Sequence, residues 1–181
     1  MINDSAVAER VREVMASHKA GEPVRVLFVC LGNICRSPAA EGIMRDIVSR
    51  NDDEAGWVID SAGTGRYHIG DLPDRRMRVH ARQRGLELTH RARQVETEDF
   101  DNFDLIVAMD ASNAMNLRRI APSVEAARKI VPMADFFSTG ARYDHVPDPY
   151  YEGSEGFELV LDLLQDGCGN MYDILNPKNF Q

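Results

Sequence analysis

Cys30, Arg36 and Ser37 stand in the stretch VLFVCLGNICRSPAAEG, residues 26–42, as a cysteine followed after five residues by Arg-Ser at the end of an apolar run. A thiolate is a strong nucleophile, a guanidinium forks onto two phosphate oxygens, and a hydroxyl can donate a hydrogen bond to sulfur. Together they suit attack on a phosphorus atom. Between a strand and a helix, the N–H groups of such a segment have no intrahelical partner. Gly32 and Asn33 tolerate the left-handed conformations that aim several of these groups at one point. The helix that follows adds its positive dipole end, which completes an anion cradle with Cys30 at the floor. The field that draws in a phosphate also favours the thiolate form of that sulfur. The competing account makes Cys30 a small buried hydrophobe. A nucleotide triphosphatase is not expected, because its loop needs Gly-Lys and the chain has none.

Such a site needs a strand ending at Cys30 and a helix starting just beyond it. VRVLFV is an unbroken apolar run, as in a central strand covered on both faces. Ser37 and Pro38 read as N-cap and first turn of a helix reaching to about Arg50. Upstream, Ala6, Val7, Val11, Val14 and Met15 recur at helical spacing, which predicts a helix over Ser5 to Lys19, ended by Gly21 and Pro23. WVID reads as a second strand, SAGTG as a loop, and Asp74 to Arg84 as a helix with Gly85 at its C-terminal cap. DLIVAM is a third strand, followed by a helix over Ser112 to Ile120, and ARKIVPM a fourth. Phe136 to Tyr151 reads as a long loop, and a last helix runs from Ser154 through Leu164 and on toward Tyr172. Strands alternating with helices predict an α/β sandwich with a mainly parallel sheet, whose ligands bind beyond the carboxyl ends of the strands. Cys30 lies at such an end.

The chain has 181 residues, enough for one domain with a sizeable core, and its net charge of −8 argues against a nucleic-acid partner. A local positive site for a small phosphorylated ligand remains compatible with that balance. No apolar run has the length of a membrane span, and the first residues lack the pattern of a secretory signal. Three cysteines, Cys30, Cys35 and Cys168, are too few for a disulfide scaffold, so reduced thiols and a cytoplasmic location are expected.

The stretch at residues 26–42 resembles the signature of the low-molecular-weight protein tyrosine phosphatases. DSAGTGRYHIGDLPD, EDFDNFDLIVAMDASN and DPYY resemble later landmarks of that family in the same order, so the likeness runs from about Val24 to the C-terminus. It implies a three-layer sandwich, a four-stranded parallel sheet flanked by helices with the phosphate-binding loop after the first strand. It also implies hydrolysis of phosphotyrosine in proteins through a phosphocysteine, with no metal and no organic cofactor.

A phenolate leaving group needs a proton donor at neutral pH. Asp148, held between Pro147 and Pro149 in DHVPDPYYEG, is a candidate, and Asp144 is its local rival. The resemblance to Asp-Pro-Tyr makes Asp148 the general acid and then the base. Tyr150 and Tyr151 can wall a cleft and stack on an aryl ring, and the resemblance adds Tyr67. It makes Leu31, Gly32, Asn33, Ile34, Cys35 and Ser37 the rest of the phosphate loop, with Asn33 fastened by Ser61 and His90. Read alone, Ser61 is a turn residue and His90 a core histidine. Related arginine phosphatases carry threonine where this chain has Ile34, which favours phosphotyrosine over phosphoarginine. Cys35 is either packing behind the loop or a redox partner that closes a disulfide with Cys30 under peroxide.

Arg75, Arg76, Arg78, Arg82 and Arg84, with Arg91 and Arg93 after them, read as a solvated face balanced by acids or as a guide for anionic phosphoproteins. Residues 1–22 are expected to form a helical extension and 23–181 a single catalytic domain; the oligomeric state is open. Two rival functions remain on the same scaffold: an arsenate reductase, which relays through further cysteines, and a phosphotyrosine-binding module without turnover.

Overall fold

Val24–Cys30 is apolar on both faces, apart from Arg25 near its start, and this lets it take the interior of a sheet as β1. In the computed structural model, which describes residues 4–176, the chain begins with α1 (Asp4–Met15) and continues from β1 into α2 (Arg36–Arg50). Then come β2 (Trp57–Gly63), α3 (Arg75–Gln83), α4 (Asp99–Asn102), β3 (Leu105–Ala108) and α5 (Ala111–Ile120). The chain continues through α6 (Val124–Arg128) and β4 (Ile130–Pro132) to α7 (Ser154–Leu175), with single 3-10 turns at Glu54–Gly56 and Met133–Phe136. The sheet order is β2-β1-β3-β4, and all neighbours are parallel. It is the expected four-stranded parallel sheet flanked by helices, a three-layer α/β sandwich.

Alternation along β1 divides the core. Val24, Val26, Phe28 and Cys30 face a cluster with residues of α1, α2, α3 and α7, whereas Leu27 and Val29 face one with residues of α4, α5 and α6. The register sets Cys30 beside Gly63 and Val29 beside Ala108, so β1, β2 and β3 end side by side.

Several boundaries differ from the sequence reading. Helix α1 stops at Met15, its last buried residue, and not at Lys19; turns follow, with the His18 ring 3.1 Å from the Glu22 carbonyl oxygen. Ser61–Gly63 was expected in a loop but extends β2, because Phe28–Cys30 offers it a full set of ladder partners. Helix α7 runs to Leu175, because its buried stripe continues through Cys168, Met171 and Leu175. The short α4 and α6 have no expected counterpart. Of the expected extension and domain, residues 1–3 and 177–181 lie outside the described part.

Candidate active site

Beyond Cys30, residues 31–35 wrap toward α2 with their carbonyls tied outward. The Thr64 amide donates to the Cys30 carbonyl (2.9 Å), Gly65 to Leu31 (2.9 Å) and Asp74 to Ile34 (2.8 Å). In a trans peptide the N–H points opposite to the C=O. The amides of Leu31, Gly32 and Cys35 therefore turn to the inside of the wrap. Asn33 takes the left-handed conformation the curve needs, with φ of 56°.

Ser37 does not cap α2, contrary to expectation. The N-cap is Cys35, and no side chain bonds to the helix end, which leaves the first-turn amides and the dipole to the loop. The Ser37 hydroxyl instead lies 3.0 Å from Cys30 Sγ and 3.4 Å from the Ala62 carbonyl oxygen, and accepts from Asn33 Nδ2 at 2.8 Å. Turned to a thiolate, its hydrogen is a donor to sulfur.

Asn33 faces away from the wrap. Its Nδ2 also donates to Ser61 Oγ (3.0 Å), and its Oδ1 accepts the Arg93 amide (3.0 Å) and lies 2.9 Å from His90 Nε2. The amide contact identifies that atom as oxygen, so His90 Nε2 donates to it. His90 Nδ1 lies 3.1 Å from Glu41 Oε1, which also accepts from Ser61 Oγ at 3.0 Å. Burial tends to raise the Glu41 carboxyl, but the bond and charge of His90, with Arg45 and Ser61, hold it below its ordinary value. Glu41, Asp60 and His90 bring ligand-type atoms within 4.8 Å of one another. Each is already engaged, Asp60 by Arg93 at 3.0 Å, so the cluster is a hydrogen-bonded brace under the loop.

The Arg36 guanidinium is almost wholly buried and needs an anionic partner there. Its Nη1 donates to Asp110 Oδ2 at 2.6 Å and to the Val146 carbonyl at 3.1 Å, and its Nη2 lies 3.5 Å from Asp148 Oδ2. Asp110 also caps α5 through the Asn113 amide (2.8 Å). Sequence reasoning missed Asp110, although it follows a buried strand, where a parallel sheet gathers its functional residues.

These parts meet in a cleft of about 480 Å³. Cys30 and Arg36 line it at depth, Leu31 and Ile34 are apolar wall, and Gly32 and Cys35 complete the loop side. Tyr67, Tyr150 and Tyr151 line it with Asp148, as does His68, which the sequence did not single out. Tyr67 and Tyr151 are largely exposed, and the Tyr150 and Tyr151 rings meet edge to face at 5.0 Å. The Asp148 carboxyl is partly exposed and accepts the Tyr150 amide at 3.1 Å. Asp144 lies outside the lining, fully exposed and 2.7 Å from His145 Nδ1. Asn33, Ser37, Ser61 and His90 stand behind the wall and brace it.

All three cysteines are free. Burial raises the Cys35 thiol far above its ordinary range, helped by the negative charges of Asp74, Cys30 and Asp148. Cys168 is fully buried in α7, away from the cleft, with its thiol 3.8 Å from the Ala40 carbonyl oxygen. Most of the arginine set is balanced by acids: Arg76 by Asp74, Arg82 by Glu87, Arg84 by Glu158 and Asp162, and Arg93 by Asp60 and Asp99.

Residues 25–180 match the family described as low molecular weight phosphotyrosine protein phosphatase. A putative low molecular weight protein-tyrosine-phosphatase from Synechocystis is 50% identical over 156 residues, 86% of this chain and 98% of the relative. A protein tyrosine phosphatase structure from Entamoeba histolytica, with Hepes in its active site, superimposes with a TM-score of 0.82 at 42% identity, covering 86% of this chain and 99% of that one. The structure of YfkJ from Bacillus subtilis gives 0.81 at 39% identity, covering 90% and 100%.

Proposed function

The chain belongs to the low molecular weight phosphotyrosine protein phosphatase family, and from that premise we propose that it hydrolyses phosphotyrosine in proteins through a phosphocysteine on Cys30. The observation that carries this reading is one cleft holding a sulfur at the floor of an amide-lined loop, a buried guanidinium, and a partly exposed carboxyl 3.5 Å from that guanidinium.

Cys30 Sγ attacks phosphorus in line with the aryl oxygen, so that the S–P bond forms as the P–O bond breaks. Arg36 and the inward amides bind the three equatorial oxygens, where charge develops. Asp148 enters as the carboxylic acid and gives its proton to the leaving phenolate, a step worth typically about 10²–10⁴-fold. Water then attacks phosphorus, Asp148 takes its proton, and the thiolate departs with the Ser37 hydroxyl as donor. Inorganic phosphate leaves. The chemistry is closed by these groups, and the reading calls for no metal or organic cofactor. The apolar wall of Leu31 and Ile34 suits an aryl ring better than a guanidinium, which favours phosphotyrosine over phosphoarginine. An arsenate-reducing relay gains no support from Cys168, which lies deep in the helical core.

The same reading covers regulation and place. Peroxide converts Cys30 to a sulfenic acid, and Cys35 attacks that sulfur with loss of water, closing a disulfide that a thiol reductant reopens. Free thiols fit a reducing cytoplasm. Residues 1–22 act as an added element and 23–181 as the catalytic domain, in line with a family match that begins at residue 25.

The test is phosphate release from matched phosphotyrosine, phosphoserine and phosphoarginine peptides. Phosphotyrosine is expected to turn over fastest, and Cys30→Ser to lose turnover while still binding phosphate. Retained turnover in Cys30→Ser, or a preference for phosphoarginine, overturns the reading; binding without release by the wild type points to the module instead.

A further inference from the structure

Two halves of the cleft come from distant parts of the chain, the sulfur loop after β1 and the acid loop before α7. Arg76 sits between them. Its backbone amide donates to Asp74 Oδ1 at 2.8 Å, and its Nε and Nη2 bond the two Asp74 oxygens at 3.1 and 2.9 Å. Asp74 in turn donates its amide to the Ile34 carbonyl in the sulfur loop. The fork is therefore anchored to the phosphate-binding side.

The same guanidinium also lies over aromatic rings of the other side. Its carbon lies 5.4 Å from the Tyr150 ring centre and 4.9 Å from that of Phe157. Phe157 is a firm base: it is 1% exposed, and the His80 ring stacks on it at 5.6 Å with an interplanar angle of 8°. Tyr150 is the residue whose amide holds Asp148 Oδ1. A continuous line of contacts thus runs from Ile34 through Asp74, Arg76 and Tyr150 to Asp148. An ammonium has no flat face for the rings and cannot form the two-point fork, so only arginine makes both links at once.

We propose that Arg76 is a positioning residue for the proton donor, holding the Asp148 loop at a set distance from the Cys30 loop by clamping Tyr150. The inference rests on the assignment of Asp148 as the acid. It also separates Arg76 from Arg82 of the same helix, which pairs with Glu87, and from Arg78, which bonds the Pro73 carbonyl.

The test uses the full chain and compares kcat/KM, which reports steps up to departure of the leaving group, for phenyl phosphate and for a nitro-substituted aryl phosphate that needs little protonation. Displacement of a catalytic group by about 1 Å can cost on the order of 100-fold. A loosened clamp is expected to cost about tenfold on phenyl phosphate and much less on the nitro compound. Arg76→Gln should show this split, with inhibition by inorganic phosphate unchanged. Asp74→Asn keeps the helix cap but loses the charged fork, and should act in the same direction even if Arg76→Gln folds poorly; Arg76→Lys should restore little. In an Asp148→Asn background, adding Arg76→Gln should cost nothing further. Equal losses on both substrates, no loss on either, or an undiminished Arg76→Gln effect in the Asp148→Asn background overturns the proposal. A split for Asp148→Asn without one for Arg76→Gln sinks this inference alone. No split for Asp148→Asn sinks the acid assignment beneath it.

Discussion

Glu41 carries no proton to the substrate in this scheme, yet its charge props the loop to which the chemistry is assigned. Burial works against its ionised form, and His90, Arg45 and Ser61 outweigh burial, so the folded carboxyl titrates below its ordinary 4.5. A carboxyl depressed on folding contributes stability that is complete above its unfolded value and is lost as pH falls through its folded value. Glu41→Gln is therefore expected to lower stability at neutral pH by about 1–3 kcal/mol, the cost of weakening buried bonds to a charged group. The gap to wild type should close as pH falls below the ordinary carboxyl value of 4.5 and through the lower folded value, where wild-type Glu41 itself protonates. Urea midpoints of both proteins from neutral pH into the acid range check it, and a gap that does not shrink with acidification would refute the role. At this scale the sequence reveals what is local. Cys30, Arg36 and Ser37 are legible because their chemistry needs one short segment. Asp110, Glu41 and the clamp at Arg76 are not, because each acquires its meaning from a partner 20 to 74 positions away. Among 29 acidic residues, composition gives no reason to choose Asp110 or Glu41.

The ends of β1 and β2 set the shape of the loop. A Cβ placed on Gly63 would stand 2.7 Å from the Leu31 carbonyl oxygen and 3.2 Å from the Asn33 amide nitrogen. Both are backbone atoms of the loop, so they cannot rotate out of the way. Gly63→Ala is expected to push the loop outward and to lower kcat/KM at least tenfold, given roughly 100-fold per ångström of misplacement. Overpacking should cost about 1–3 kcal/mol of stability as well. Kinetics measured well below the melting transition separate the two effects, and wild-type kcat/KM would show that the close approach is not needed. The same strand end explains two misread elements. SAGTG has the composition of a turn, but β1 supplies partners as far as Gly63, and pairing overrides composition. Ser-Pro has the composition of a cap, but Asn33 Nδ2 bonds the Ser37 hydroxyl, which faces the sulfur, and α2 begins two residues earlier without a side-chain cap. The strand and helix pattern itself was legible, because buried apolar runs and helical periodicity depend little on such local competition.

In the whole molecule, the proposed chemistry gathers at one end of the sheet, and most polar contacts of α1 and the turn after it lie at the other. Arg10 in α1 donates to the carbonyl of Ile130, the first residue of β4, at 3.2 Å and pairs with Asp135 at 3.3 Å. His18, just after α1, lies 3.5 Å from Asp104, which precedes β3 and accepts the amide of Arg25 near the start of β1. Ile130, Asp104 and Arg25 mark amino ends of strands and Asp135 follows the short β4, whereas Cys30 and Asp110 sit at or just past the carboxyl ends of β1 and β3. Val11 and Met15 are buried in the same core cluster as α2 and α7. On this placement α1 is expected to act as cover for the core, and none of its described side chains lines the cleft. Met15→Ala is expected to cost about 2–4 kcal/mol, the range for truncating a buried methionine. Its kcat/KM at a temperature where the protein stays folded should match wild type, because no atom of the sulfur or acid loop loses a partner. Denaturant melts and steady-state kinetics on the same preparation check both halves. A kinetic loss without a stability loss would mean that α1 acts on the cleft through the sheet, and the extension would then be regulatory instead of structural.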